Sequence, residues 1–155
     1  MKRTNRRMRL CAAALACELV FIWGNSALPG AVSSALSDFV GNVLSHIFPM
    51  TPGENEGTGL LRKLAHFTEF ACLGATLCWL FGMLGKQPAP LSLLGGMSAA
   101  CVDETIQIFT PDRGSSLLDV WIDVSGVLLG MGCVLIGHYL IKTKPNLFKH
   151  RSHKT

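Results

Sequence analysis

The chain has 155 residues, which is enough for one domain and too few for two of ordinary size. Hydrophobic residues make up 49% and charged residues only 15%, against about 25% charge in a typical soluble domain. With a mean hydropathy of +0.37, these values exclude an ordinary soluble domain and indicate a membrane protein. The six cysteines form no C-x-x-C pair, so neither a disulfide framework nor a zinc-cysteine site is predicted.

Four segments are long and apolar enough to cross a bilayer, which takes about 20 residues of helix. They run roughly over residues 10–28, 64–85, 91–110 and 117–141. The pattern predicts an all-α membrane protein, a four-transmembrane-helix bundle in one domain spanning residues 1–155. Residues 60–141 form its motif-bearing core, and residues 1–9 and 142–155 are basic tails.

The first apolar segment follows MKRTNRRMR and has some features of a signal peptide. Glu18 lies inside it, and three further spans require one more crossing to place both ends on one side. We therefore expect this segment to be a retained span. Glu18 sits near its middle, where a structural hydrogen bond is the simplest role.

A long loop, about residues 29–62, separates the first two segments. Within it, AVSSALSDFVGNVLSHIF places Val32, Leu36, Phe39 and Val43 at three- and four-residue spacing. That spacing predicts an amphipathic helix on the outer leaflet or capping the bundle. The following PMTPGENEGTG is a Pro/Gly-rich link that returns the chain to the membrane.

The basic residues predict the orientation of the bundle. Eleven of the fourteen lysines and arginines lie in the two tails or at Lys86, between the second and third segments. None of the ten acidic residues lies in these three regions. By the positive-inside rule this side is cytoplasmic, which predicts a multi-pass protein of the cell membrane with both termini inside.

This orientation gathers polar side chains from separate segments into one layer near the outer surface. The layer comprises Lys63, His66, Glu69, Glu104, Gln107, Arg113, Asp119 and Asp123. Asp119 and Asp123 continue into Gly126 and Gly130 on the same helix face, and small residues allow close helix packing in lipid. The carboxylates are therefore expected to point at neighbouring helices.

A charge at the centre of a membrane helix costs roughly 2.5–3.5 kcal/mol on insertion scales, so these groups must be paired, protonated or hydrated. One reading is an interhelical ion-pair network, with Arg113 pairing with Asp119 or Glu104. The other is a ligand or catalytic site. In that reading His66, Glu104, Asp119 and Asp123 are catalytic or metal-ligating candidates, and Lys63, Glu69, Gln107 and Arg113 are ligand-binding candidates.

No glycine loop for nucleotides and no serine or cysteine nucleophile signature is present, so the sequence names no cofactor and leaves a metal open. The lipid bilayer is the expected partner, with the basic tails touching anionic lipid. Nothing in the sequence predicts a nucleic-acid partner.

Two motifs resemble those of VanZ-like membrane proteins. LLRKLAHFTEFACLG (60–74) resembles the first, and DETIQIFTPDRGSSLLDVWIDVSG (103–126) resembles the second. The resemblance implies that Arg62 shares the polar site with the eight residues of the layer. Three positions depart from the family pattern: Phe70 replaces a tyrosine, Ile106 a frequent histidine and Asp112 a common glycine.

The resemblance implies a role in low-level resistance to teicoplanin-type glycopeptide antibiotics, with which the family's named member is associated. Three classes of function remain open. The first is a non-enzymatic envelope protein that alters glycopeptide access or binding. The second is an enzyme acting on a lipid headgroup or lipid-linked wall precursor, with Glu104 or Asp119 as base, His66 as acid and Arg113 holding phosphate. The third, a proton-coupled transporter or small channel, is disfavoured because the polar groups occupy a single layer.

Overall fold

The structure is a computed structural model that describes residues 2–47 and 56–149, and these residues contain no strand. They form five helices: α1 (Lys2–Ser26), α2 (Gly30–Ile47), α3 (Glu56–Met83), α4 (Pro88–Ile108) and α5 (Leu117–Lys149). The all-α class predicted from the sequence is confirmed. Most of the predicted Pro/Gly-rich link lies outside the described residues, and its last four residues begin α3.

Three of the described helices are long and apolar enough to cross a membrane: Asn5–Ser26, Gly59–Met83 and Leu117–Thr143. Helix α4 is not among them, because Asp103, Glu104 and Gln107 interrupt its apolar run. All three of these side chains are buried, so the polar groups of α4 face its neighbours. The count of four spans stays a prediction.

Helices α3 and α5 form the most extensive contact in the bundle. Glycines at their interface bring the two backbones together, because a Cβ on Gly130 would overlap the carbonyl oxygen of Ala71, and one on Gly74 would overlap that of Val127. The close packing expected from the glycine face of α5 is confirmed. Helix α4 packs against both members of the pair, and α1 packs against α3 and α4.

A small apolar core lies between these helices, and the outside of the bundle is also apolar. Phe70, Leu73 and Val127 are completely or almost completely buried in the core. Large apolar side chains such as Val20, Trp79, Leu94, Leu129 and Ile141 are exposed on the outer surface. An exterior of this composition is typical of helices in contact with lipid.

Helix α2 is present where the sequence predicts an amphipathic helix. Its stripe of Val32, Leu36, Phe39 and Val43 is exposed, with between 46% and 66% of each residue accessible. The helix contacts α3 within the described residues. Its position at the membrane surface stays a prediction.

The turn between α1 and α2 meets the loop between α4 and α5. The Gly30 amide donates a hydrogen bond to the Pro111 carbonyl over 3.0 Å, and a Cβ at Gly30 would overlap the carbonyl oxygen of Asp112. Asp112 has a φ of 56°, in the left-handed region that glycine adopts most easily and aspartate tolerates. Glycine, which the family resemblance leads us to expect here, would adopt this φ without strain.

Candidate functional site

The predicted polar layer lies at one end of the bundle, where α1 and α4 end and α5 begins. A small cleft there has a cavity volume of about 10 Å³, which is room for about one water molecule. Its lining consists of Arg62, Lys63, His66, Glu104, Gln107, Asp119, Ile122 and Asp123. The structure thus brings together predicted residues from three helices, and it places Glu69 and Arg113 just outside the lining.

His66 lies at the centre of this end, between two carboxylates. Its Nδ1 atom is 3.8 Å from Oδ2 of Asp103 and 4.0 Å from Oε2 of Glu69, one turn further along α3. Both distances exceed hydrogen-bond range, and Nδ1 is buried without a hydrogen-bond partner among the described residues. The imidazole is therefore surrounded by acids and held by none of them.

Asp103 is the most buried of the acids, with none of its surface exposed. Its Oδ2 accepts a 2.8 Å hydrogen bond from Nε2 of Gln107, which also lies 3.5 Å from Oγ of Ser26. Its Oδ1 has no partner among the described atoms. Asp103 was not among the predicted site residues, although it opens the DETIQ motif and so had a sequence signal.

Helix α1 contributes to the site through its last turn, which the sequence did not predict. Nδ2 of Asn25 donates a 3.2 Å hydrogen bond to Oε1 of Glu69. Ser26 is fully buried, and its carbonyl accepts a 3.1 Å hydrogen bond from the Thr110 hydroxyl. No motif marks Asn25 or Ser26, so only the packing of α1 against α3 and α4 reveals them.

Glu104 fastens the α4–α5 loop to α4. One of its oxygens, Oε2, accepts hydrogen bonds from the Ser115 hydroxyl over 2.7 Å and from the Ser116 amide over 2.9 Å. Ser116 in turn precedes α5, and its hydroxyl accepts a hydrogen bond from the Leu118 amide. The second carboxylate oxygen, Oε1, is buried without a partner in the described part of the chain.

The two acids of α5 differ in their surroundings. Asp119 lies 3.8 Å from Nζ of Lys63, and this ion pair is partly exposed, at 41% for the Lys63 side chain and 23% for that of Asp119. Asp123, one turn deeper, is 1% exposed and makes no hydrogen bond or ion pair with any residue that the structure describes. Its side chain lines the cleft without a described hydrogen-bond or ion-pair partner.

The expectation that Arg113 pairs with Asp119 or Glu104 is wrong. Its Nη2 donates a 2.9 Å hydrogen bond to the backbone carbonyl of Asn25, and no described carboxylate lies within 4.0 Å of the guanidinium. Burial lowers the pKa of Arg113, with Arg62 adding to the effect, while Asp103 and Glu104 oppose it. The Asn25 carbonyl lies in the last turn of α1 and also accepts a 3.3 Å hydrogen bond from the Leu28 amide, so Arg113 is its second donor.

The described part of the site contains more acid than base. Five carboxylates meet there, from Glu69, Asp103, Glu104, Asp119 and Asp123, against three permanent cations, Arg62, Lys63 and Arg113. Several buried polar atoms have no partner, including Oδ1 of Asp103 and Nδ1 of His66. Such groups suit proton transfer or cation binding, and one ligand atom from each of His66, Asp103 and Asp123 lies within 4.8 Å of the others.

Comparison with known proteins agrees with the resemblance of the two motifs. The family model described as VanZ/LLP1 matches residues 11–139, a stretch that includes every residue of the site. No curated protein and no solved structure matches the chain.

Proposed function

The chain belongs to the VanZ/LLP1 family, and we propose that it modifies the outer face of the bacterial cell membrane and lowers susceptibility to teicoplanin-type glycopeptides. In this proposal α1, α3, α4 and α5 cross the membrane and α2 lies on its outer surface. The basic tails keep both termini in the cytoplasm. The end of α1 at Ser26 and the start of α5 then place the cleft outside.

The observation that carries this proposal is the arrangement of charge in the cleft. Arg62 and Lys63, on the first turns of the apolar part of α3, are half-buried and form its cationic rim, while Asp123 and Glu104 are buried. A cationic rim attracts the phosphate of a lipid headgroup or of a lipid-linked wall precursor. The headgroup itself then stays at the rim, because the cleft has room for about one water-sized group.

A second candidate function, an enzyme acting on such a headgroup, is favoured by the unsatisfied groups of the cleft. Among the described residues, Asp123 makes no hydrogen bond and Nδ1 of His66 has no hydrogen-bond partner, so both are available for proton transfer to a bound molecule. Glu104 is a weaker base candidate because one of its oxygens holds the loop. Arg113 is turned away, which leaves phosphate binding to Arg62 and Lys63.

The experiment compares a host without the protein with hosts expressing the wild type, Glu104→Gln, Asp119→Asn or Asp123→Asn. Asp38→Asn is the matched control, because Asp38 is an exposed acid on α2. Each strain is measured for teicoplanin susceptibility and for its envelope lipid profile, with protein levels in the membrane equalised.

Wild type and Asp38→Asn are expected to lower susceptibility, and Asp123→Asn is expected to abolish the effect. A lipid change that is lost with the same carboxylates favours the enzyme. Protection that survives all three substitutions indicates a scaffold, in which the acids only order the helices. A wild-type protein that alters neither susceptibility nor lipids would contradict the proposal.

A further inference from the structure

The side chains of His66, Asp103 and Asp123 come together from three different helices, α3, α4 and α5, at the cleft. One ligand atom from each, an imidazole nitrogen and two carboxylate oxygens, lies within 4.8 Å of the other two. We propose that these residues bind a divalent transition-metal ion, with Zn²⁺ as the preferred ion. The fold holds the ligands on α3, α4 and α5, so all three helices must pack before the site exists.

The distances fit an ion after a small contraction. In a tetrahedral zinc site with bonds of about 2.1 Å, ligand atoms lie about 3.4 Å from one another. The atoms here are within 4.8 Å, and the pair formed by His66 Nδ1 and Asp103 Oδ2 is already 3.8 Å apart. Bringing the most widely separated ligand atoms to that distance takes a side-chain movement of up to about 1.4 Å.

Unpartnered buried atoms are the second, independent sign of a ligand. Asp123 is 1% exposed and makes no hydrogen bond or ion pair with a described residue. Asp103 is fully buried, and its Oδ1 has no partner either, nor has Nδ1 of His66. Leaving such groups unpaired in an apolar interior is costly, and a cation bound between the three side chains would offset part of that cost.

The charge of the site also favours a bound cation. Among the described residues of the site, carboxylates outnumber permanent cations by two, so a cation is attracted there. Neutral imidazole suits zinc and other first-row metals, while two carboxylates also admit Mn²⁺. Zinc is expected to bind more tightly than manganese, because Mn²⁺ has the lowest affinity in the general order of divalent first-row metals.

Side chains that bind a metal are usually hydrogen-bonded to a second protein group, and Gln107 is such a group for Asp103. Its amide donates to Oδ2 of Asp103 over 2.8 Å and lies 3.5 Å from the Ser26 hydroxyl. This arrangement orients the carboxylate toward His66. With three protein ligands, the fourth position of the ion faces the cleft, where Arg62 and Lys63 attract anions. The metal site itself does not depend on the proposed function. Only a role of the bound ion in acting on a lipid headgroup does.

The test uses the full chain purified in detergent, treated with a chelator and titrated calorimetrically with ZnCl₂ and MnCl₂. Wild type is expected to bind one equivalent of Zn²⁺ and to bind Mn²⁺ more weakly. Gln107→Leu should weaken zinc binding by 10–100-fold, as is typical when a hydrogen bond to a ligand is lost. Asp123→Asn removes a ligand and should weaken it by more than about 100-fold. Asp38→Asn, the matched control, should bind as the wild type does.

X-ray absorption at the zinc edge of the wild type gives a readout that does not depend on any variant folding. The expected first shell contains oxygen and nitrogen with one imidazole and no sulfur. A wild type without saturable binding, a shell containing cysteine sulfur, or unchanged binding by folded Asp123→Asn would each overturn the metal site. Zinc binding without any effect of the wild type on susceptibility or lipids would reject the proposed function and leave the metal site standing.

Discussion

Replacing Gly130 by alanine is expected to loosen the α3–α5 pair, on which the candidate site is built. The added Cβ would overlap the carbonyl oxygen of Ala71 and lie 2.7 Å from its carbonyl carbon and 2.9 Å from the amide nitrogen of Ala75. Ordinary contacts of a carbon atom are about 3.5–4.0 Å, so the two backbones must separate by more than about 1 Å. The contacted atoms belong to the backbone of α3 and cannot rotate away as a side chain can. The strain is therefore distributed over the whole α3–α5 interface.

The expected loss is about 1–3 kcal/mol, the usual range for overpacking, since packing is the main attraction between helices in lipid. For a chain of this size, that corresponds to a fall in melting temperature of roughly 2–12 °C. Thermal unfolding in detergent, followed by helical circular dichroism, measures it. Gly132→Ala is the control on the same helix, because a Cβ there meets nothing within 4 Å. Equal melting temperatures for the two variants would refute the close approach of α3 and α5.

Three further predictions concern pairing and orientation. A double-mutant cycle of Lys63→Met with Asp119→Asn should give a coupling energy of about 0.2–1 kcal/mol in detergent unfolding, because the pair is partly exposed; a coupling above 2 kcal/mol would show a desolvated pair instead. Thr76→Val removes the hydroxyl that donates to Glu18 over 2.8 Å, and should lower the free energy of unfolding by about 1–3 kcal/mol. Glu18→Gln keeps an acceptor and should change it less, so the reverse order would contradict a structural hydrogen bond. A topology reporter fused at Asn55 should report the outer side of the membrane, and a cytoplasmic signal there would invert the orientation of the site.

Much of the fold follows from the sequence because apolar length and helical spacing are local properties. The five helices were all predicted, including the amphipathic α2, although α3 begins at Glu56, well before the predicted span. The glycine face of α5 predicted a close contact, and α3 supplies it. Spacing also placed the acids of α4 and α5 on inward faces, since side chains three and four residues apart share one side of a helix.

The partners of each polar group depend on the tertiary structure, because helical spacing sets the direction of a side chain and leaves open what meets it. Asn25 and Ser26 belong to the site only because α1 ends against α3 and α4. The loop turns Arg113 to the Asn25 carbonyl instead of a carboxylate. Asp103, which lies beside Glu104 in sequence, is buried against His66, while Glu104 holds the loop. A rotation of about 100° between neighbouring residues of a helix separates these two roles.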